Sequence, residues 1–146
     1  MREYKFRGKA VTGEWVHGDL IHKRTDEESV MIRDKNGLES DVLPETVGQY
    51  LGVKDKYDND IYEGDILRSD NYPFSIFDDD KIEEDNYFAE VCWDDETTGY
   101  FILIHKNPKS AVRGISNGIT YSMEDALEYE FEVFGNIFDN KDLIEG

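Results

Sequence analysis

Cysteine is nearly missing from this 146-residue chain. Cys92 stands alone, so no intrachain disulfide can form and no Cys-rich zinc site is available. Long apolar runs are missing as well: no 18 consecutive apolar residues occur, too few for a membrane-spanning helix. The opening residues, "MREYKFRGKAV", are charged at once and lack the apolar core of a signal peptide, which makes the cytoplasm the expected location. Basic charge is scarce, with 16 Lys and Arg against 34 Asp and Glu, a net of −18. Residues 1–70 carry 11 basic and 16 acidic side chains, a net of −5, and residues 71–146 carry 5 and 18, a net of −13. Such a field repels phosphate, so direct nucleic-acid binding and docking on anionic lipid are both disfavoured. A basic protein partner suits the charge, and so does a purely solubilising role. Glycine-rich phosphate cradles of the G-x-x-x-x-G-K-[ST] and G-x-G-x-x-G types are absent, and no cofactor is expected.

What is present is period-2 patterning with ample aromatic mass, 8 Phe, 9 Tyr and 2 Trp. In "LEYEFEV", Leu127, Tyr129, Phe131 and Val133 alternate with three glutamates, which predicts a strand with one buried and one carboxylate face. "NYFAEVCWD" behaves similarly, with Tyr87, Ala89, Val91 and Trp93 on one face and a second face, Phe88, Glu90, Cys92 and Asp94, that is only half polar. The turns "VTGEW", "DKNGL", "DETTGYF" and "ISNGI" each place Gly after small or polar residues between apolar runs. Hairpins are therefore expected at about 3–10/14–22, 29–33/38–43, 87–94/99–105 and 112–116/119–121. Helix is confined to short turns: at Pro44, at Ser122 with Asp125 three residues on, and at Leu143 and Ile144. The fold class is all-β. The charged stretch 69–86, with its core "DDDKIEED", reads as an acidic insertion between strands.

The stretch "QYLGVKDKYDNDIYEGDIL", Gln49 to Leu67, invites a metal reading that fails on spacing. An EF-hand loop started at Asp55 would need Gly at Asp60 and Glu at Ile66, and one started at Asp58 would need ligands at Tyr62 and Gly at Glu63. A polar turn between strands fits better, with Gly64 supplying an unusual backbone conformation and Asp65 accepting from nearby amides.

This stretch resembles the hallmark of the YopX-like family of phage and prophage proteins. The opening "REYKFRGK", the central "YFAEVCWDDETTGYFIL" and the closing "EFEVFGNIFDNKDLI" resemble further family elements in the same order. The resemblance implies a small all-β protein: an N-terminal hairpin subdomain over 1–48 and an SH3-type barrel over 49–146. It brings no catalytic residues. It carries over motif positions only, Gly52, Asp55, Gly64, Asp65, Gly99 and Gly135. The chain departs from the family at Tyr57-Asp58-Asn59-Asp60, where an Asn-Gly type of turn is common.

Candidate chemistry is thin. His17, His22 and His105 are the only imidazoles, and His17 shares strand parity with Asp19 while His22 does not, so they converge only if Gly18 makes a bulge. Cys92 reads as a small buried hydrophobe. Three functional readings follow. One is a non-catalytic protein-interaction module that uses Tyr50, Tyr57, Tyr62 and Trp93, with a basic protein as partner. A sharper form is an acidic mimic of DNA that occupies a host nucleic-acid-binding protein. The other two are an enzyme of unrecognised type built on His17 and His22, and an assembly role in which strand edges pair between copies to form a homo-oligomer.

Overall fold

A computed structural model of the chain describes residues 3–23, 29–69, 87–105, 120–128 and 130–144. The chain divides into two compact units, Met1–Val53 and Lys54–Gly146. Strands dominate both, as the alternating patterns require.

In the first unit, β1 (Phe6–Lys9), β2 (Trp15–His22), β3 (Val30–Arg33) and β4 (Glu39–Val42) form an antiparallel meander, and β5 (Gly48–Lys54) returns beside β1. The strand order is β4-β3-β2-β1-β5. Residues two apart share a face, so Val30 and Ile32 meet Val42 from the facing strand, and Phe6, Val16, Leu20 and Val47 pack on this cluster. One corner is pinned where Leu43 N donates to Lys9 O (2.8 Å) and Lys9 N donates to Thr46 Oγ1 (2.8 Å). Thr46 ends a single 3-10 turn, Pro44–Thr46, begun by the proline expected to start one.

In the second unit, β6 (Asp60–Tyr62) precedes β7 (Asp65–Ser69), β8 (Tyr87–Asp94), β9 (Gly99–His105) and β10 (Thr120–Ser122), and β11 (Glu132–Asn136) comes back beside β7. The order β10-β9-β8-β7-β11 is that of an open sheet with β10 and β11 as its edges. The closed barrel expected here is therefore not shown by the strand pairing. Ile66, Leu67, Ala89, Val91, Ile102, Ile104 and Phe131 are fully buried in this unit. The expected strand 112–116 and the acidic insertion lie outside the described residues.

Three turns share one geometry: a three-residue loop whose third residue is left-handed. Ala10 N donates to Glu14 O and Gly13 N to Ala10 O, Asp34 N to Leu38 O and Gly37 N to Asp34 O, and Asp55 N to Asn59 O and Asp58 N to Asp55 O. The left-handed residues are Gly13, Gly37 and, in the third turn, Asp58 at φ +67°. In the β8–β9 turn the left-handed residue is Thr98, not the expected Gly99.

The strand expected over 127–133 is only half formed. A short helix, α1 (Met123–Glu128), occupies its first part, and the strand starts at Glu132. The local hydrogen bonds explain this. Ser122 Oγ accepts from Asp125 N (3.2 Å) at the start, as the capping pattern implied. At the end, Phe131 N donates to Ala126 O and Glu130 N to Leu127 O, with Glu130 at φ +57°. That is a Schellman ending, and the residues at its two apolar positions, Ala126 and Phe131, are both buried. Leu127, read as inward-facing on a strand, is exposed.

Glu130 and Asp58 are exposed side chains held in a conformation that disfavours a Cβ by about 1 kcal/mol. Glu130→Gly and Asp58→Gly should each raise stability by about 0.5–1 kcal/mol in urea unfolding, and Glu130→Val should lower it. A glycine variant less stable than the parent would contradict the assigned turns.

Candidate functional site

The polar centre of the second unit is built from residues 55–65 of the Gln49–Leu67 stretch. Asp55 opens a turn, and a short carboxylate there bends back to the amides two and four residues on. Its Oδ1 accepts from Tyr57 N and Asn59 N, both at 2.9 Å. Asp34 makes the same pair of bonds, from Asn36 N and Leu38 N, again at 2.9 Å. What separates Asp55 is its second oxygen. Oδ2 accepts from Asn59 Nδ2 (3.1 Å) and from Val133 N in β11 (2.9 Å), 78 residues away. Burial alone would raise the Asp55 pKa, but the amides of Val133 and Asn59, the Asn59 side chain and the Tyr57 amide outweigh it and hold the group below its ordinary 3.8.

Nine residues on, Gly64 takes φ +87°, the unusual conformation expected of it. Its N–H donates to Val91 O in β8 (3.0 Å), and its carbonyl accepts from Ile137 N just past β11 (2.9 Å). Asp65, fully buried, accepts from Tyr62 N at 2.8 Å. The stretch thus fastens the turn, β8 and the end of β11 together.

Beyond β11 lies a knot that sequence reasoning missed. Asn136 Oδ1 accepts from Phe138 N and Asp139 N, and Asn140 Oδ1 accepts from Asn136 N. A Cβ on Gly135 would lie 2.5 Å from Asn140 Oδ1, so only glycine admits this contact. The recoverable signal was the pair of asparagines four apart, each able to bind local amides.

The four candidate interaction residues separate by exposure. Tyr50 and Tyr62 are buried at 4% and 3%, while Tyr57 is 65% and Trp93 42% exposed. Tyr57 sits in the turn ordered by Asp55. Trp93 adjoins the turn ordered by Asp94, whose carboxylate accepts from Glu96 N (3.0 Å) and Thr97 Oγ1 (2.8 Å). The Thr97 hydroxyl, then the Glu96 amide, hold Asp94 below the ordinary carboxylate value.

The histidines do not assemble. β2 pairs with β1 up to Gly18 and with β3 from Asp19, with Phe6 opposite Gly18 and Arg33 opposite Asp19. A groove of about 600 Å³ in the first unit is lined by Tyr4, Trp15, His17, Asp19, Arg33 and Lys35, without His22. Cys92 is pushed well above the ordinary thiol range by burial and by Glu90, whose Oε2 lies 2.9 Å from Sγ, with Glu63 adding to the effect. A thiolate nucleophile is disfavoured there. The string Gly114-Ile115-Ser116-Asn117-Gly118, read above as a hairpin turn, also spells G-x-S-x-G, the sequence form of a nucleophile elbow. It lies outside the described residues.

Asp55→Ala should destabilise the protein by about 3 kcal/mol at pH 7, because it strips a buried charged acceptor from several amides, whereas Asp34→Ala should cost about 1 kcal/mol. The folded-state pKa of Asp55 is lowered, so its contribution is whole above about pH 4 and is lost as pH falls through the lower folded value. Urea unfolding at pH 7 and pH 3 checks both points. Equal costs for the two alanine variants would contradict the long-range role of Asp55.

No curated protein matches the chain. A buried aspartate that ties a polar turn to the closing strand, an EGD turn bonded on both sides and a glycine-dependent asparagine knot lie in the segments whose wording pointed to one family. Over residues 4–145, nearly its whole length, the chain matches the model of the family described as YopX protein, and it belongs to that family.

Proposed function

We propose that this YopX family member is a non-catalytic protein-interaction module, carried by phage or prophage and acting in the host cytoplasm. One observation carries the reading: the exposed rings Tyr57 and Trp93 stand in or beside turns stiffened by Asp55 and Asp94. Tyr and Trp dominate contact energetics at interfaces, and rings on stiff turns lose little entropy on binding. The polar groups of the family stretch, by contrast, are engaged within the fold, as Asp55 and Asp65 show. The strand order supports an SH3-type barrel for the second unit, because a meander whose last strand returns beside its first brings its two edges to either end of one short connector, 123–131.

The charge of −18 favours a specific form of the same reading, an acidic decoy for a host protein that binds nucleic acid. Such a partner would be released by salt and by competing duplex DNA.

Affinity capture from host-cell lysate tests the proposal. The parent chain should retain a protein that the Tyr57→Ala/Trp93→Ala double variant loses by at least about tenfold, a difference of roughly 1.4 kcal/mol. Equal retention by both would contradict a role for these rings. A fluorophosphonate probe should leave Ser116 unlabelled, and stoichiometric labelling of that serine would overturn the non-catalytic reading.

A further inference from the structure

One device recurs among the described residues: a cation laid over an aromatic ring. Lys5 Nζ lies 4.7 Å from the Tyr50 ring centre, Arg7 Cζ 4.9 Å from Trp15, Lys56 Nζ 5.3 Å from Tyr57 and Arg68 Cζ 4.6 Å from Phe134. Such pairs gain from the negative face of the ring, and tryptophan is the strongest acceptor. Trp93 breaks the pattern. Although 42% exposed, it has no cation over it among the described residues. Among the described residues it packs edge-on with Tyr100, directly opposite on β9 (ring centres 4.9 Å apart, 66° between planes), and donates its indole N–H to Asp95 Oδ1 at 2.8 Å.

The surroundings of Trp93 are acidic. The hairpin 87–105 contains no lysine or arginine, and its tip presents Asp94, Asp95 and Glu96 in succession. Among the described residues no ion pair engages these three carboxylates. The bond to Asp95 fixes the indole and places a carboxylate at its edge. An open tryptophan face beside carboxylates suits a group that is flat, cationic and rich in donors. Guanidinium meets all three needs, since it stacks on a ring and donates in its own plane to a carboxylate, whereas an ammonium offers only a point charge.

We propose that the Trp93–Tyr100 corner, with Asp95 at its edge, seats an arginine side chain of a protein partner. This rests on the interaction-module reading and supplies the partner chemistry at one of its two exposed rings. The excess of negative charge favours an arginine-bearing protein segment over nucleic acid.

The test uses the full chain and a defined probe, the peptide acetyl-Gly-Arg-Gly-Arg-Gly-amide, against its citrulline counterpart, which keeps the shape and removes the charge. Titrations are followed at the two indole N–H signals by NMR. The arginine peptide should shift the Trp93 signal and leave Trp15 unmoved. The citrulline peptide should bind at least about tenfold more weakly. Read at the Trp93 indole signal, Asp95→Asn should weaken arginine binding several-fold and Trp15→Phe should retain all of it. Equal binding of the two peptides, a response confined to Trp15, or no response at all would overturn the proposal. Capture of a lysate partner equally by the parent and Trp93→Ala would likewise remove this corner while leaving an interaction role through Tyr57. If no partner is captured by the parent chain, the interaction reading itself falls, and the peptide titration still decides the corner.

Discussion

The second unit depends on one carboxylate with two jobs. Asp55 orders its own turn through Oδ1 and holds the closing strand through Oδ2, by the bond from Val133 N. A strand added at a sheet edge leaves every other amide pointing outward, and such amides invite pairing with another chain. Here the outward amide of Val133 meets a buried, charged acceptor. The bond joins residues 78 apart in sequence, so it orders the ends of a long loop that local turn chemistry alone could not bring together. Asp34 shows what the same turn does without that second task.

From this clasp the family stretch becomes intelligible as structure. Gly64 carries the pattern onward by bonding β8 with its amide and the segment after β11 with its carbonyl, and Asp65 secures the turn before it. Few of these polar groups are left to meet a ligand. The surface offers instead two exposed rings in or beside stiffened turns, Tyr57 with Lys56 over it and Trp93 with no cation over it among the described residues. In the interaction role proposed above, recognition would fall to the tips of hairpins.

Much of the fold was legible because alternation and turn chemistry agreed. The hairpins at Gly13 and Gly37 and the β8–β9 hairpin formed where apolar runs met short polar turns. The errors came where two local signals competed. Over 122–133 the alternation of Leu127, Tyr129, Phe131 and Val133 argued for strand, but a serine cap and a left-handed Glu130 gave a helix first and a strand second. Alternation over four residues cannot outweigh a satisfied helix start and end. In the third turn the left-handed position fell to Asp58, which sequence alone marks poorly. At the candidate surface, residue type identified aromatic rings but could not separate the buried Tyr50 and Tyr62 from the exposed Tyr57 and Trp93, since strand membership does not sort them: Tyr50, Tyr62 and Trp93 all lie in strands, and only Tyr57 lies in a turn. Nor could it show that Asp55 reaches Val133, because nothing local encodes a contact across most of a domain.

The most direct measurement of the clasp is amide hydrogen exchange at Val133 in the parent chain and in Asp55→Asn, which nearly preserves side-chain volume but removes the charge. The Val133 amide should be strongly protected in the parent at neutral pH and should exchange at least about tenfold faster in the variant, ahead of the central β8 amides. Unchanged protection at Val133 would show that β11 is held by something other than this carboxylate.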